Sequence, residues 1–244
     1  MHMGYIEIAS LKLNYIDNGV ERFNKVPLLI CPGLSEECTD YLGLVNEISD
    51  RRCIALTFRG RGKSCNEIDS YTLENHIEDI ESVVNELKLD KFCLMGYSRG
   101  VSYVLGYSIL NPNKLSGLIL GEYPAEHKRM HNGWAKEQMG VYESHDIPIS
   151  ITYDVLKKIE RDSRYEDFSI NLNKIKCPAL ILKGLEEDTL LPEVEINRYI
   201  NNLGGNSIRI EKFSKSGHDI ISNEFHEIVL AIQNFLYYID TTNS

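Results

Sequence analysis

The sequence has no apolar run approaching the ~20 residues that cross a bilayer, and its start, Met1-His2-Met3-Gly4-Tyr5, has no charged segment leading into an apolar one. Neither a membrane span nor a secretory signal is therefore expected, and a cytoplasmic location is. Basic residues are in the minority: 26 Lys and Arg face 36 Asp and Glu, a formal net charge of −10 that argues against nucleic-acid and anionic-membrane partners. The six cysteines, at 31, 38, 53, 65, 93 and 177, contain no C-x-x-C pair, which speaks against a disulfide framework or a zinc site and for reduced, mostly buried thiols. His127, His131 and His145 lie in one stretch without H-E-x-x-H or similar spacing, so no metal is expected. Arg59-Gly60-Arg61-Gly62-Lys63-Ser64 lacks the spacing of a phosphate-binding P-loop. Internal repeats and low-complexity segments are missing as well.

What is present is an ordered alternation. Gly4 to Ala9 and Leu11 to Ile16 alternate in polarity about Ser10 and stop at Asp17-Asn18-Gly19, as two antiparallel edge strands would. Val26 to Cys31, Cys53 to Phe58, Lys91 to Gly96, Leu115 to Gly121, Ala179 to Leu182 and Ser207 to Phe213 are short apolar runs of the kind buried on both faces. Between them lie helical patterns at Asp40 to Ile48, at Leu73 to Leu87 with Leu73, Ile77, Ile80, Val84 and Leu87 on one face, at Val101 to Leu110 and at Glu193 to Leu203. A last helical stripe runs from Phe225 to Ile239. Strand and helix alternating in this way predict a mostly parallel sheet with helices on both sides. With 43% apolar residues, the chain suits one such domain. The rhythm breaks only at 124–176, a stretch holding Trp134, Tyr142, Tyr153, Tyr165 and Phe168 and a helix-like segment from Val155 to Arg161. Long insertions between sheet strands tend to be functional, so this one is expected to form a small, mostly helical cap on a core made of 1–123 and 177–244.

The chemistry centres on Gly96-Tyr97-Ser98-Arg99-Gly100, which stands between an apolar strand and a helix. A G-x-S-x-G turn at that junction projects one serine hydroxyl over the sheet edge, and glycines are needed where the chain reverses against its neighbours. Five segments in order then resemble the α/β-hydrolase superfamily over nearly the whole chain: Cys31-Pro32-Gly33-Leu34, Arg59 to Ser64, Gly96 to Gly100, Gly184 through Asp188 to Pro192, and Ser216-Gly217-His218. The resemblance implies an eight-stranded sheet with a lid after the sixth strand, and a nucleophile, acid and base in the chain order Ser, Asp or Glu, His.

On that reading Ser98 is the nucleophile, His218 its base and Asp188 the carboxylate that orients the imidazole. The acid loop is one residue longer than the family pattern, which makes Glu187 a competitor, and Glu122, after the sixth strand, stands where some relatives carry the acid. The backbone amides of Leu34 and Arg99 would form the oxyanion hole. Pro32-Gly33 stands where many relatives have His-Gly, which leaves open what braces that loop. Gly33, Tyr97, Tyr123, Trp134 and Tyr142 are candidate substrate contacts. The expected activity is cofactor-free hydrolysis of a small or medium carboxylic ester, with a small-molecule acyl substrate as the partner. Thioester, lactone or carbon–carbon bond hydrolysis, a lyase or synthase on the same scaffold, and a ligand-binding protein retaining the triad are the alternatives. Oligomeric state has no signature in the sequence.

Overall fold

A computed structural model describes residues 1–8, 11–65, 67–205 and 207–242, so the expected strand end at Ala9 and the turn at Ser10 lie outside the described residues. In chain order the strands are β1 (His2–Ile8), β2 (Leu11–Asp17), β3 (Leu28–Cys31), β4 (Cys53–Leu56), β5 (Phe92–Tyr97), β6 (Leu115–Gly121), β7 (Glu126–His127), β8 (Glu166–Asp167), β9 (Ala179–Gly184) and β10 (Ile208–Phe213). The α-helices are α1 (Leu42–Glu47), α2 (Leu73–Glu86), α3 (Gly100–Leu110), α4 (Trp134–Ser144), α5 (Tyr153–Asp162), α6 (Glu193–Asn202), α7 (Ile220–Asn223) and α8 (Phe225–Thr242).

Eight strands form one sheet in the order β1-β2-β4-β3-β5-β6-β9-β10. β1 and β2 pair antiparallel to each other, β2 pairs antiparallel to β4, and every pairing from β4 to β10 is parallel. All residues of β3, β4, β5, β6 and β9 are buried, as helices on both faces require. β3 begins at Leu28 rather than Val26 because Pro27 has no N–H for the ladder. One face of the sheet packs Leu29, Leu94, Leu118 and Ile181 against Ile77, Ile80, Val104 and Ile196 of α2, α3 and α6. The other packs Ile30, Met95, Ile119 and Leu180 against Val45 of α1 and Ile232, Phe235 and Ile239 of α8. Each such side chain contributes about 1.5–3 kcal/mol when taken out of water, so the two layers hold the sheet rigid beneath whatever its ends present.

The sequence moves outward in opposite directions from β3, to β4 on one side and β5 on the other. In a parallel sheet this reversal opens a crevice at the carboxyl ends of the two strands, the usual place for a ligand. The loop after β3 and the turn after β5 both empty into it.

The chain between β6 and β9 forms the insertion. Its base is closed by β7 pairing antiparallel with β8, and α4 and α5 pack together above. Thr152 caps α5 by accepting the Val155 N–H at 3.3 Å, and Val155, Leu156 and Ile159 turn inward. They join Tyr71, Ala135, Tyr142 and Ile151 in a separate apolar cluster against which Leu34 and Trp134 pack. The helix α4 has no clear apolar stripe and is not evident from the sequence pattern. One edge of the insertion is tied to the core through backbone: Ser150 N–H donates to Ser35 O at 2.8 Å, Gly62 N–H donates to Ser150 O at 2.6 Å, and Arg61 bridges to Ile151. Among the described residues no helix is long and apolar enough to cross a membrane.

Candidate active site

β5 ends at Tyr97, and Ser98 follows with φ of 49°, a left-handed conformation that costs a non-glycine residue about 1–3 kcal/mol. The turn is held by Ser98 N–H donating to Gly121 O at 2.8 Å and Val101 N–H donating to Ser98 O at 2.9 Å. Gly100 lies so close to the Pro32 and Cys31 carbonyls that any Cβ there would overlap them, which is why α3 can start directly beneath the loop after β3. The serine is half-buried, at the mouth of the crevice.

His218 reaches the serine from the loop after β10, with Nε2 3.0 Å from Ser98 Oγ. The loop is fixed underneath: the Tyr97 hydroxyl donates to His218 O at 2.5 Å and accepts the Ile220 N–H at 3.0 Å. Glu224 accepts from Lys215 N–H and the Ser216 hydroxyl at 2.9 and 2.7 Å. Tyr97 was a candidate substrate contact, and its hydroxyl is engaged by the histidine loop instead.

The other ring nitrogen, Nδ1, is buried and faces Glu122 Oε2 at 3.6 Å. Glu122 is the first residue beyond β6, fully buried, with φ of 52°. Its carboxylate accepts the Gly184 N–H at 2.7 Å, the Leu190 N–H at 3.0 Å and the Thr189 hydroxyl at 2.9 Å. Asp188, expected to hold the imidazole, is exposed, and its Oδ2 accepts the backbone N–H of His218 at 3.4 Å rather than the ring N–H. Gly217 permits even that approach, because a Cβ there would overlap the Asp188 carboxylate. Glu187 is exposed on the same loop. The reason for the difference is local. Gly184, Thr189 and Leu190 bring three donors onto Glu122, so the loop after β9 serves as the cradle of a carboxylate from β6. A separation of 3.6 Å exceeds a formed hydrogen bond, and such catalytic contacts commonly tighten in the substrate complex.

The loop after β3 is braced by a residue the sequence reading passed over. Glu36 Oε2 accepts the Gly33 N–H at 2.6 Å and the Tyr41 hydroxyl at 2.7 Å. Burial raises the Glu36 pKa, and these two hydrogen bonds oppose the rise. Arg61 Nε donates to Leu34 O at 3.1 Å and fixes the next peptide. Among the described residues no hydrogen bond within the chain uses the amide of Leu34 or of Arg99, the two candidate oxyanion donors. Glu36 could have been suspected from an acidic residue three positions after a glycine turn, a pattern too common to stand alone.

Near the serine in chain or fold lie further aromatic and cationic side chains. Arg99 is buried, and its Nε donates to the Tyr103 hydroxyl at 3.1 Å. Tyr123 is buried beside Arg99, and burial raises its pKa while Arg99 opposes the shift. Tyr142 is buried in the insertion cluster and Trp134 packs at its edge, with Leu34 against the same cluster. Of the three insertion histidines His127 is buried while His131 and His145 are exposed, and among the described residues no group of acids, cysteines and histidines could hold a metal ion.

The family model described as alpha/beta hydrolase fold matches residues 26–128, which contain β3 to β7, Ser98 and Glu122. No sequence among the curated proteins matches the chain. Solved structures match it over nearly its whole length. A carboxylesterase structure from Nitrososphaera gargenis is 15% identical, with 99% of this chain and 100% of that one covered at a TM-score of 0.79. The enol-lactonase of Burkholderia xenovorans is 15% identical over 96% and 100% at 0.78. A thermophilic esterase from Thermogutta terrifontis, solved with malate bound, is 20% identical over 98% and 100% at 0.74. The family model over residues 26–128, the eight-stranded sheet and these matches together give the chain the α/β-hydrolase fold that the five ordered segments lead one to expect.

Proposed function

We propose that the protein is a serine hydrolase of small or medium carboxylic esters, working through an acyl-enzyme with Ser98 as nucleophile, His218 as base and Glu122 as the orienting acid. The observation that carries this reading is the 3.0 Å contact between His218 Nε2 and Ser98 Oγ on a strained strand-to-helix turn. Ser98 attacks the ester carbonyl as its proton passes to His218 Nε2. The amides of Leu34 and Arg99 receive the developing oxyanion, each such donor contributing about 3–4 kcal/mol in a transition state. His218 then gives its proton to the leaving alkoxide and activates a water that releases the acid.

Glu122 is preferred over Asp188 because the ring nitrogen that must be held faces it, and because its own oxygens are already fixed by backbone and hydroxyl donors. A carboxylate held in this way stays put while the imidazole charges. The insertion at 124–176 is the cap over the serine and supplies Trp134 and Tyr142 to the acyl pocket. The esterase and lactonase structures that share the fold accord with ester cleavage.

A fluorophosphonate probe tests the core of the reading. Wild-type protein is expected to be labelled and to hydrolyse short p-nitrophenyl esters, and Ser98→Ala is expected to do neither. Folded wild-type protein that resists the probe would end the mechanism.

A further inference from the structure

Two arginines near the serine turn are buried and, among the described residues, make no ion pair with an acid. Arg61 and Arg99 are 1% and 3% exposed, and among the described residues neither has a carboxylate oxygen within 4.0 Å. Of the acids in this neighbourhood, Asp79 is engaged by Arg59, whose Nη2 lies 2.6 Å from Asp79 Oδ1 and whose Nε donates to the same carboxylate at 2.9 Å, and Glu37, whose Oε2 is buried against Gly62, makes no ion pair with either arginine. Glu36 and Glu122 are held by the loop after β3 and by the donors after β9, as described above.

Both guanidiniums are instead oriented by neutral imidazoles in the same manner. His76 Nδ1 lies 2.8 Å from Thr72 O, which can only accept, so Nδ1 carries the proton and Nε2 is left to accept from Arg61 Nη1 at 2.9 Å. The Ser102 hydroxyl donates to Arg99 O at 2.8 Å and so accepts from His127 Nδ1 at 3.0 Å, which leaves His127 Nε2 to accept from Arg99 Nη2 at 3.3 Å. Burial, and after it the neighbouring arginine, keeps both histidines uncharged, His127 down to about 2 and His76 well below its ordinary value. Tyr103 joins the two halves, stacked on His76 at 4.1 Å between ring centroids and accepting from Arg99 Nε.

Neutral acceptors fix the direction of a cation and leave its charge in place. One donor also remains unused: Arg61 Nη2 is buried with no hydrogen-bond partner, while Arg99 spends its Nη1 on a weak bond to the Met130 thioether sulfur at 4.0 Å and also engages the Tyr123 hydroxyl. These groups adjoin the reacting centre, since Arg61 holds the Leu34 carbonyl and Arg99 directly follows Ser98 in the chain. A buried charge left without a counter-ion is costly to the empty protein, and a guanidinium matches a carboxylate in shape and charge.

We propose that Arg61 and Arg99 form an anion-binding subsite beside Ser98, so that the substrate carries a second, ionised carboxylate in addition to the bond that is cleaved. This deepens the serine-hydrolase reading and rests on it for the cleavage step, but not for the binding. The favoured substrates are half-esters of dicarboxylic acids and compounds of like charge. Neutral esters of the same length leave the two cations buried and unpaired.

The test compares p-nitrophenyl hemiadipate with p-nitrophenyl hexanoate, corrected for uncatalysed hydrolysis. Wild-type kcat/KM is expected to favour the half-ester by about 10-fold or more, with the preference falling as salt rises. In Arg61→Met and Arg99→Met, each checked for native circular dichroism, the ratio is expected to move toward 1. Equal rates or a preference for hexanoate in wild type, or folded variants that keep the preference, overturns the subsite. Calorimetry on Ser98→Ala with adipate, hexanoate and inorganic phosphate separates binding from turnover and covers variants that do not fold. Adipate alone is expected to bind. Binding of hexanoate as well as adipate, of phosphate in place of adipate, or of none of the three refutes the carboxylate assignment. Adipate bound by a protein that turns over neither ester keeps the subsite and ends the hydrolase reading, whereas Ser98-dependent turnover without discrimination does the reverse.

Discussion

The loop that leaves β6 and the loop that leaves β9 each bring a carboxylate to His218, and they differ in almost every physical respect. Glu122 is fully buried, sits in a left-handed backbone conformation and accepts three separate donors within 3.0 Å. Asp188 is exposed, and its one contact with the histidine is a 3.4 Å bond from the backbone. The first carboxylate has been taken out of water and given fixed dipoles in exchange, so its charge acts on the imidazole through a medium of low polarisability. Water screens the second, which bears on the loop rather than on the ring. On the proposed assignment, an acid's role follows the donors that surround it more closely than its proximity in sequence to a family pattern.

That contrast breaks most sharply under substitution. Glu122→Gln is expected to lower kcat by ~10⁴-fold with KM little changed, as when a triad acid becomes an amide, and Asp188→Asn by less than about 10-fold. Steady-state kinetics of the two variants side by side decide the matter, and the reverse order would return the role to Asp188. A smaller effect probes the cradle. Thr189→Val removes one donor from Glu122 and is expected to cost about 10-fold in kcat, in line with one buried hydrogen bond to a charged group. No change in kcat would mean that the loop after β9 does not hold the acid.

Glu36 supplies the mildest comparison, a third carboxylate of intermediate burial. Burial raises its pKa in the folded protein, against the opposing hydrogen bonds from Tyr41 and Gly33. A raised carboxyl pKa favours folding while the group is protonated, below its unfolded value, and the contribution is lost as pH rises through the folded value. Glu36→Gln keeps an acceptor for both donors and does not titrate. Its melting temperature relative to wild type is therefore expected to improve between pH 4 and pH 7, and a constant difference across a melting series would contradict this.

The parts of the molecule that could be read in advance are those whose cause is local. Gly96, Ser98 and Gly100 announce the elbow because the collision that forbids a side chain at Gly96 is with Gly100 and Val101 of the same turn. His218 is placed by the strand before it and the helix after it. The buried strands declared themselves through continuous apolar runs, and β3 differed from expectation only where Pro27 interrupts the ladder. The proposed acid is harder to read, because Glu122 and its donors at 184, 189 and 190 are some 60 residues apart and meet only through the β6–β9 pairing. The two arginine–histidine pairs also join separate segments, whereas Glu36 bonds its near neighbours Gly33 and Tyr41 and is hidden because its pattern is common. His76 sits at the edge of an apolar helix face by sequence, and only the packing of α2 on α3 shows that it is buried against Arg61.

The backbone links at Ser150 have a mechanical consequence. Ser35 and Gly62 hold both sides of that residue, and α5 is tied to the core as well, with Asp162 accepting the Tyr71 N–H at 2.8 Å and Lys158 donating to Ile68 O at 3.2 Å, so the insertion is attached along its Ser150 and α5 side as a door is along its jamb. If the insertion is the proposed cap, a swing that admits substrate would pivot on that side and open along α4. The peptide that moves least would then be the one joined to Ser35, next to the Leu34 amide proposed for the oxyanion hole, so that opening would not loosen the loop after β3. Hydrogen exchange offers a check: the Gly62 and Ser150 amides should stay protected while those of α4 exchange, and early exchange at Ser150 would place the pivot elsewhere.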